Sequence, residues 1–183
     1  EALPDGPTRD RFRQHVAVVD VNGDGVRDMV TANSGSDNVS VRAGRADGSF
    51  ENATNFDMGE EPKAVAVADM NGDGLPDIMT ANWDSNNVSL RLGNGGGGFG
   101  DVENFSMGTT PWELSVADMN GDGALDILTP NTGTNDVTVR LGNGDGSFRE
   151  VTSIPMGVDT FSLAVADING DGAPDIVTTN FST

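Results

Sequence analysis

The stretch DMNGDGLPD, residues 69–77, decides the fold because its pattern, Asp-x-Asn-Gly-Asp-Gly-x-x-Asp, occurs four times in the chain. The other copies occupy residues 20–28, 118–126 and 167–175, and each copy begins 49 residues after the previous one. A period of about 20 to 50 residues is typical of architectures that array one supersecondary unit against copies of itself. The sequence therefore predicts a repeat protein with three full units and part of a fourth.

Each copy offers oxygen donors at alternate positions, which is the ligand chemistry that Ca²⁺ prefers. In the second copy Asp69, Asn71 and Asp73 supply side-chain oxygens, Leu75 supplies its carbonyl and Asp77 closes the shell, while the intervening glycines let the backbone curl. Over the four copies the predicted metal ligands are Asp20, Asn22, Asp24, Val26, Asp28, Asp69, Asn71, Asp73, Leu75, Asp77, Asp118, Asn120, Asp122, Ala124, Asp126, Asp167, Asn169, Asp171, Ala173 and Asp175. The sequence thus predicts up to four Ca²⁺ ions, with an ion-free hairpin turn as the alternative.

The segments that flank each loop distinguish it from an EF-hand, which needs a bidentate Glu at its twelfth position and a helix on either side. The twelfth position here is a threonine in every copy, and the flanks are short and β-prone. One unit is therefore predicted to hold four strands, over residues 64–68, 78–82, 87–92 and 103–107. With no cysteine and only one histidine, His15, the chain lacks the usual donors for zinc or copper.

The first strand of each unit is apolar on both faces, with large residues such as Val65 and Val67 on one side and small ones such as Ala66 and Ala68 on the other. A strand of this kind is covered on both faces. Four-stranded antiparallel sheets repeated radially are the blades of a β-propeller. The predicted divisions are an N-terminal segment at 1–13, blades at 14–62, 63–111 and 112–160, and a partial blade at 161–183.

These units resemble FG-GAP or VCBS-type repeats, the calcium-loop blades of the integrin α-subunit propeller, of many secreted bacterial proteins and of some lectins. The Asp-rich loop carries most of the resemblance, which covers the chain from about Gln14 onward. The pair Phe99-Gly100 keeps the FG signature, whereas Glu51 and Arg149 replace its glycine, so the chain is nearer the VCBS-like branch. The resemblance implies a calcium loop on one face of the propeller and, in several members, ligand binding on the other.

Closure of the propeller has three alternatives, because family propellers usually close with about seven blades. The chain is a piece of a longer protein, or it closes as a small four-bladed ring, or another chain completes it. An open arc exposes the edges and faces of sheets, which natural β proteins avoid.

The charge and composition of the chain limit its expected partners and location. A formal net charge of -19, with 29 acidic and 10 basic residues, argues against nucleic acid as a partner. No apolar run approaches the ~20 residues needed to cross a bilayer. Calcium loops of modest affinity, about 10⁻⁴ to 10⁻³ M, fill outside cells, so the expected location is extracellular, secreted or at the cell surface. Five Asn-x-Ser/Thr sequons, which matter only in a source that glycosylates, occur at Asn38, Asn52, Asn87, Asn104 and Asn180.

Positions that differ between the copies are the candidates for ligand binding. One column holds Ser34, Trp83, Thr132 and Phe181, and the other holds Gln14, Lys63, Trp112 and Phe161. Both columns are expected on the face opposite the calcium loops, where Trp83, Trp112, Phe161 and Phe181 would stack on sugar rings or anchor a protein. The alternative is that these aromatic residues pack against neighbouring blades.

The expected function is binding or adhesion to a glycan or protein ligand, without catalysis, because no nucleophile, base and orienting group are grouped in the sequence. The competing functions are a structural subunit of an extracellular filament or surface assembly, finished by further copies of itself, and an accessory domain of a secreted enzyme.

Overall fold

The computed structural model describes residues 15–181, and every regular element in that range is a β-strand, as predicted. The first sheet comprises β1 (Val16–Val19), β2 (Asp28–Asn33), β3 (Asn38–Arg42) and β4 (Thr54–Asp57). The second comprises β5 (Pro62–Ala68), β6 (Asp77–Asn82), β7 (Asn87–Arg91) and β8 (Glu103–Ser106). The predictions for segment 1–13, for Gln14 and for residues 182–183 lie outside the described residues.

The third sheet comprises β9 (Ser115–Ala117), β10 (Asp126–Asn131), β11 (Asp136–Arg140) and β12 (Thr152–Pro155), and the fourth pairs β13 (Thr160–Ala166) with β14 (Asp175–Asn180). In all four sheets the strands pair antiparallel in chain order. The prediction of four-stranded antiparallel sheets is therefore confirmed, and within residues 15–181 there is no helix long and apolar enough to cross a membrane.

Successive sheets pack face to face. Val30 and Val39 of the first sheet pack with Val65 and Ile78 of the second. Equivalent clusters join the second sheet to the third and the third to the fourth. The outer face of the first sheet is uncovered in the described structure, since Val16 is 46% exposed whereas Val65, its counterpart in the second sheet, is 2% exposed. The sheets therefore form an open row of propeller blades.

The first strands of successive sheets contact one another, β1 with β5, β5 with β9 and β9 with β13. They therefore lie nearest the common axis. Each Asp-rich loop follows the C-terminal end of such a strand, and each inter-sheet connection precedes its N-terminal end. The loops and the connections consequently lie on opposite faces.

The third sheet is irregular where it meets the axis. β9 has 3 residues whereas β5 has 7, so Leu114, expected in the first strand, lies just before it. In the first sheet Ala32 donates its N–H to the His15 carbonyl (3.0 Å). Pro130 stands at the position of Ala32 and has no N–H to donate. The ladder therefore lacks one bond, to the carbonyl of Glu113, although Trp112 still donates its N–H to the Pro130 carbonyl at 3.1 Å.

A left-handed residue links each sheet to the next, which the sequence analysis did not identify. Asn86 has φ 54°, and its Oδ1 accepts the N–H of Thr110 at 2.7 Å. Asp37 and Asn135 repeat this conformation, and their side chains accept the N–H of Glu61 and of Asp159. The available signal was Asp or Asn recurring every 49 residues just before the third strand, a residue type enriched at positive φ.

Candidate functional site

The first aspartate of each Asp-rich loop organises the curl of its backbone. Asp69 Oδ1 accepts the N–H of Gly72 at 2.7 Å, and its Oδ2 accepts that of Gly74 at 2.8 Å. Both glycines have positive φ, +74° and +82°, which side-chain-bearing residues rarely adopt. The same bonds, 2.7–2.9 Å long, form at Asp20, Asp118 and Asp167.

The second and third oxygen-bearing side chains face each other across the loop. Asn71 Oδ1 accepts the N–H of Asp73 at 3.1 Å, and Asn71 Nδ2 donates to Asp73 Oδ2 at 2.9 Å. Leu75, whose carbonyl is the predicted fourth donor, gives its own N–H to Asp73 Oδ1 at 2.8 Å. The equivalent N–H bonds of Val26, Ala124 and Ala173 are 2.7–3.0 Å long.

The closing aspartate is held differently from the other loop carboxylates. Asp77 is fully buried, its Oδ2 accepts the N–H of Met70 at 2.7 Å and its Oδ1 accepts that of Gly93 at 2.8 Å. Asp28 and Asp126 are equally buried and make the same two bonds, and Asp175 accepts the N–H of Ile168 at 3.0 Å. In the first three sheets this carboxylate joins the loop to the connection between the third and fourth strands, a role that the sequence analysis missed.

The carboxylates of one loop interact electrostatically. Burial raises the pKa of Asp77, the N–H groups of Gly93 and Met70 oppose that rise, and the charges of Asp73 and Asp69 add to it. By contrast, the pKa of Asp20 is lowered, chiefly by the N–H of Gly25. A cation among these groups would relieve the repulsion on Asp77.

The donor set of the loops suits Ca²⁺, because carboxylate, amide and carbonyl oxygens recur in each loop and no soft ligand is among them. Among residues 15–181, however, no three carboxylate or imidazole groups converge closely enough to hold an ion in the present side-chain arrangement. The oxygens are engaged by main-chain and side-chain N–H groups of the same loops. Four calcium sites thus remain a prediction from ligand chemistry.

The third loop differs from the others because a cationic side chain enters it. Arg149 Nη2 lies 3.3 Å from Asp122 Oδ2. The N–H of Ala124 is the largest cause of the lowered pKa of Asp122, and the charge of this guanidinium lowers it further. The equivalent positions in the first two sheets are Glu51 and Gly100. The four loops are therefore electrostatically unequal.

The opposite face carries a pocket at the N-terminal ends of the first strands. It has a volume of about 260 Å³ and is lined by His15, Lys63, Ala64, Trp112, Glu113, Phe161 and Ser162. These residues come from all four repeat units. They occupy two adjacent positions of the 49-residue repeat, one held by residues 63, 112 and 161 and the next by residues 15, 64, 113 and 162. Trp112 and Phe161, both predicted ligand-binding residues, meet there with ring centroids 4.7 Å apart.

Lys63 occupies the space between two tryptophans beside this pocket. Its Nζ lies 5.5 Å from the ring centroid of Trp83 and 5.6 Å from that of Trp112, within the range of a cation–π contact. The same ammonium is 3.4 Å from Glu61 Oε2. Trp83 therefore supports the pocket through Lys63 without lining it. Phe181 does not line it and is 86% exposed.

The family model of the FG-GAP-like repeat matches residues 20–80, 69–129 and 131–178 of this chain. No curated protein matches this chain significantly. Among solved structures, the chain is similar to an Agrocybe aegerita lectin that specifically recognises non-reducing terminal N-acetylglucosamine. The two are 26% identical with a TM-score of 0.62, over 92% of this chain and 47% of that chain.

Two further structures share the fold at lower identity. BBS1N, solved in complex with ARL6DN, is 14% identical with a TM-score of 0.61, over 90% of this chain and 50% of that chain. The V. cholerae biofilm matrix protein Bap1 is 23% identical with a TM-score of 0.52, over 90% of this chain and 28% of that chain. The chain thus spans about half or less of the length of these proteins.

Proposed function

The chain belongs to the FG-GAP-like repeat family, and on that premise we propose that it is an extracellular, calcium-stabilised, non-catalytic β-propeller domain that binds a glycan. The observation that carries this proposal is the pocket opposite the Asp-rich loops. Aromatic rings, a carboxylate and a hydroxyl side by side are the groups that hold the apolar and hydroxylated parts of a sugar. The lectin among the similar structures, which recognises a terminal sugar, supports the same class of ligand.

Calcium has a structural part in this proposal. The twenty loop residues named above would hold the ions, and each ion would fix a connection between the first and second strands of a sheet. Glycan affinity would come from the other face, where Trp112 and Glu113 line the pocket. The ion would therefore stabilise the blades without touching the ligand.

A glycan array at millimolar calcium, followed by titration calorimetry of the best ligand, tests the proposal. We expect Trp112→Ala to lower affinity at least about tenfold, as removal of an aromatic anchor commonly does. Phe50→Ala, which removes a half-exposed ring from the first sheet, is the matched control and should bind normally. If no glycan binds to the folded protein, the proposal is wrong.

A second candidate function is an extracellular assembly completed by further copies of this chain. It is favoured by the exposure of Val16 and Val18, 46% and 53%, because their counterparts in the later sheets are covered by the preceding sheet. Light scattering at millimolar calcium should then give oligomers that Val18→Lys dissociates. A monomer over the whole concentration range would exclude this function.

A further inference from the structure

The pocket lies where a repeated inter-sheet hydrogen bond is missing. The residue at this repeat position reaches from one sheet to the main chain of the next. His15 Nδ1 lies 3.0 Å from the carbonyl oxygen and 3.3 Å from the nitrogen of Val65, and Glu113 Oε2 accepts the N–H of Leu163 at 3.1 Å. The intervening sheet has Ala64 at this position, which has no polar side-chain atom to offer Leu114.

Leu114 consequently presents an unmatched pair of main-chain groups. In an antiparallel strand the N–H and C=O of one residue point to the same side, and Val65 shows that this side is the axis. Leu114 is the equivalent residue, 49 positions later, and no hydrogen bond joins its main-chain N–H or C=O to another described residue. Leu114 is 8% exposed and does not itself line the pocket, but Ala64 and Glu113, the residues beside this unmatched pair, both do. Main-chain groups removed from water are almost always paired, so this donor and acceptor are suited to a ligand that enters past Ala64.

The charges around the pocket favour a neutral ligand group. Lys63 is the only lysine or arginine among its lining residues in the described chain, and its ammonium is already paired with Glu61. A ligand carboxylate would face Glu113 without a free cation, and a ligand ammonium could not accept the Leu114 N–H. A secondary amide is neutral, and it accepts at its oxygen and donates at its nitrogen.

We propose that the pocket recognises the acetamido group of an N-acetylated sugar, paired with the main-chain N–H and C=O of Leu114. This rests on the proposed glycan-binding function and specifies its ligand. His15 Nδ1 already pairs with one main-chain group of Val65, and Glu113 already accepts the N–H of Leu163, so an extended peptide strand would meet occupied groups on both neighbouring strands, whereas one amide needs only Leu114. The volume of about 260 Å³ suits a single sugar ring. Trp112 offers apolar surface to the methyl group, and Ser162 and Glu113 offer polar atoms to the hydroxyls.

The ligand side of the test uses the unmodified protein. Calorimetric or NMR titration with N-acetylglucosamine, glucose and an N-acetylated dipeptide compares sugar with amide, sugar without amide and amide without sugar. We expect N-acetylglucosamine to bind at least tenfold more tightly than either of the others. Equal affinity for glucose would overturn the amide and leave glycan binding intact, and tighter binding of the dipeptide would overturn the sugar. If neither sugar binds, the proposed function itself fails.

The protein side of the test is Ala64→Glu, which places at residue 64 the side chain that Glu113 already provides one sheet later. Its carboxylate should take the Leu114 N–H and reduce N-acetylglucosamine affinity at least tenfold. Ala46→Glu adds the same charge at an exposed position of the first sheet and should bind normally. Unchanged affinity of a folded Ala64→Glu protein would overturn the assignment to Leu114, and if that variant does not fold, the ligand comparison decides.

Discussion

Asp73 and Asp77 belong to the same loop but are expected to act differently. Asp73 is on the exposed side of the loop, and its carboxylate receives only the loop's own N–H groups. Asp77 is buried and accepts main-chain N–H groups from two segments, Met70 in the loop and Gly93 in the connection between the third and fourth strands. The first is placed to be purely a cation ligand, whereas the second would stabilise the fold with or without an ion.

Two alanine substitutions separate these roles. Without calcium, Asp77→Ala should lower the free energy of unfolding by about 1–3 kcal/mol, because the buried N–H of Met70 and the partly buried N–H of Gly93 lose their acceptor. Asp73→Ala should lower it by less than about 1 kcal/mol, yet reduce the calcium stoichiometry by one site in calorimetry. Denaturant unfolding in chelator measures the first effect, and equal losses for the two variants would contradict the distinction.

The third loop should bind Ca²⁺ more weakly than it would without Arg149, because this guanidinium already neutralises part of the charge of Asp122. Arg149→Ala is therefore expected to raise the affinity of one site by a few-fold, a modest effect because exposed ion pairs are worth only about 0–1 kcal/mol. Arg45→Ala removes a similar exposed pair, with Glu51, which is not a loop ligand. Terbium luminescence titration compares the two, and a fall in affinity for Arg149→Ala would refute this.

Between neighbouring sheets, the left-handed Asn86 acts as a clamp by accepting the N–H of Thr110. Asn86→Gly should relieve any backbone strain but lose the bond, whereas Asn86→Ala should lose the bond and add strain. We expect Asn86→Ala to be the less stable variant, by about 1 kcal/mol, which is the usual penalty for a non-glycine residue at positive φ. Chemical denaturation of both variants measures this, and equal stabilities would show that the backbone conformation contributes nothing.

Strand positions were predictable from the chain, but the contacts between sheets were not. The strands Asp77–Asn82 and Asn87–Arg91 lie within one residue of the predicted ranges. They were predictable because apolar alternation and glycine-rich turns are local signals in the sequence. The clamp at Asn86 and the bond from Asp77 to Gly93 join residues 24 and 16 positions apart, and no local pattern encodes such pairs. The shortened β9 depended on a proline in the neighbouring strand.

The intact protein should depend strongly on calcium, since the predicted sites recur in all four sheets. Each site filled at one hundred times its Kd adds about 2.7 kcal/mol to stability, and about 1 kcal/mol shifts Tm by roughly 2–4 °C in a chain of this length. Addition of a chelator is thus expected to lower Tm by more than about 10 °C. Scanning calorimetry with and without excess calcium is the measurement, and superimposable traces would argue for ion-free turns.

The candidate sites were predictable to different degrees. The loop oxygens follow from an alternation of Asp and Asn that is visible in the sequence, so every proposed calcium ligand could be named. On the opposite face Trp112 and Phe161 could be named as variable aromatic residues, and they do meet. Lys63 between two tryptophans and the main chain of Leu114 could not be found, because their roles arise only when several sheets surround one axis.

Pro130 shows how one unit of a nearly uniform repeat array can differ from the others. A motif copied every 49 residues places the same loop on every sheet, and identical loops cannot by themselves give a protein a distinct binding preference. A single imino acid in the third unit removes one ladder bond beside the axis, to the carbonyl of Glu113, without disturbing the loops on the far side. Divergence of binding preference among proteins built this way would then be concentrated where ladder continuity fails, and comparison of such proteins should begin at those breaks.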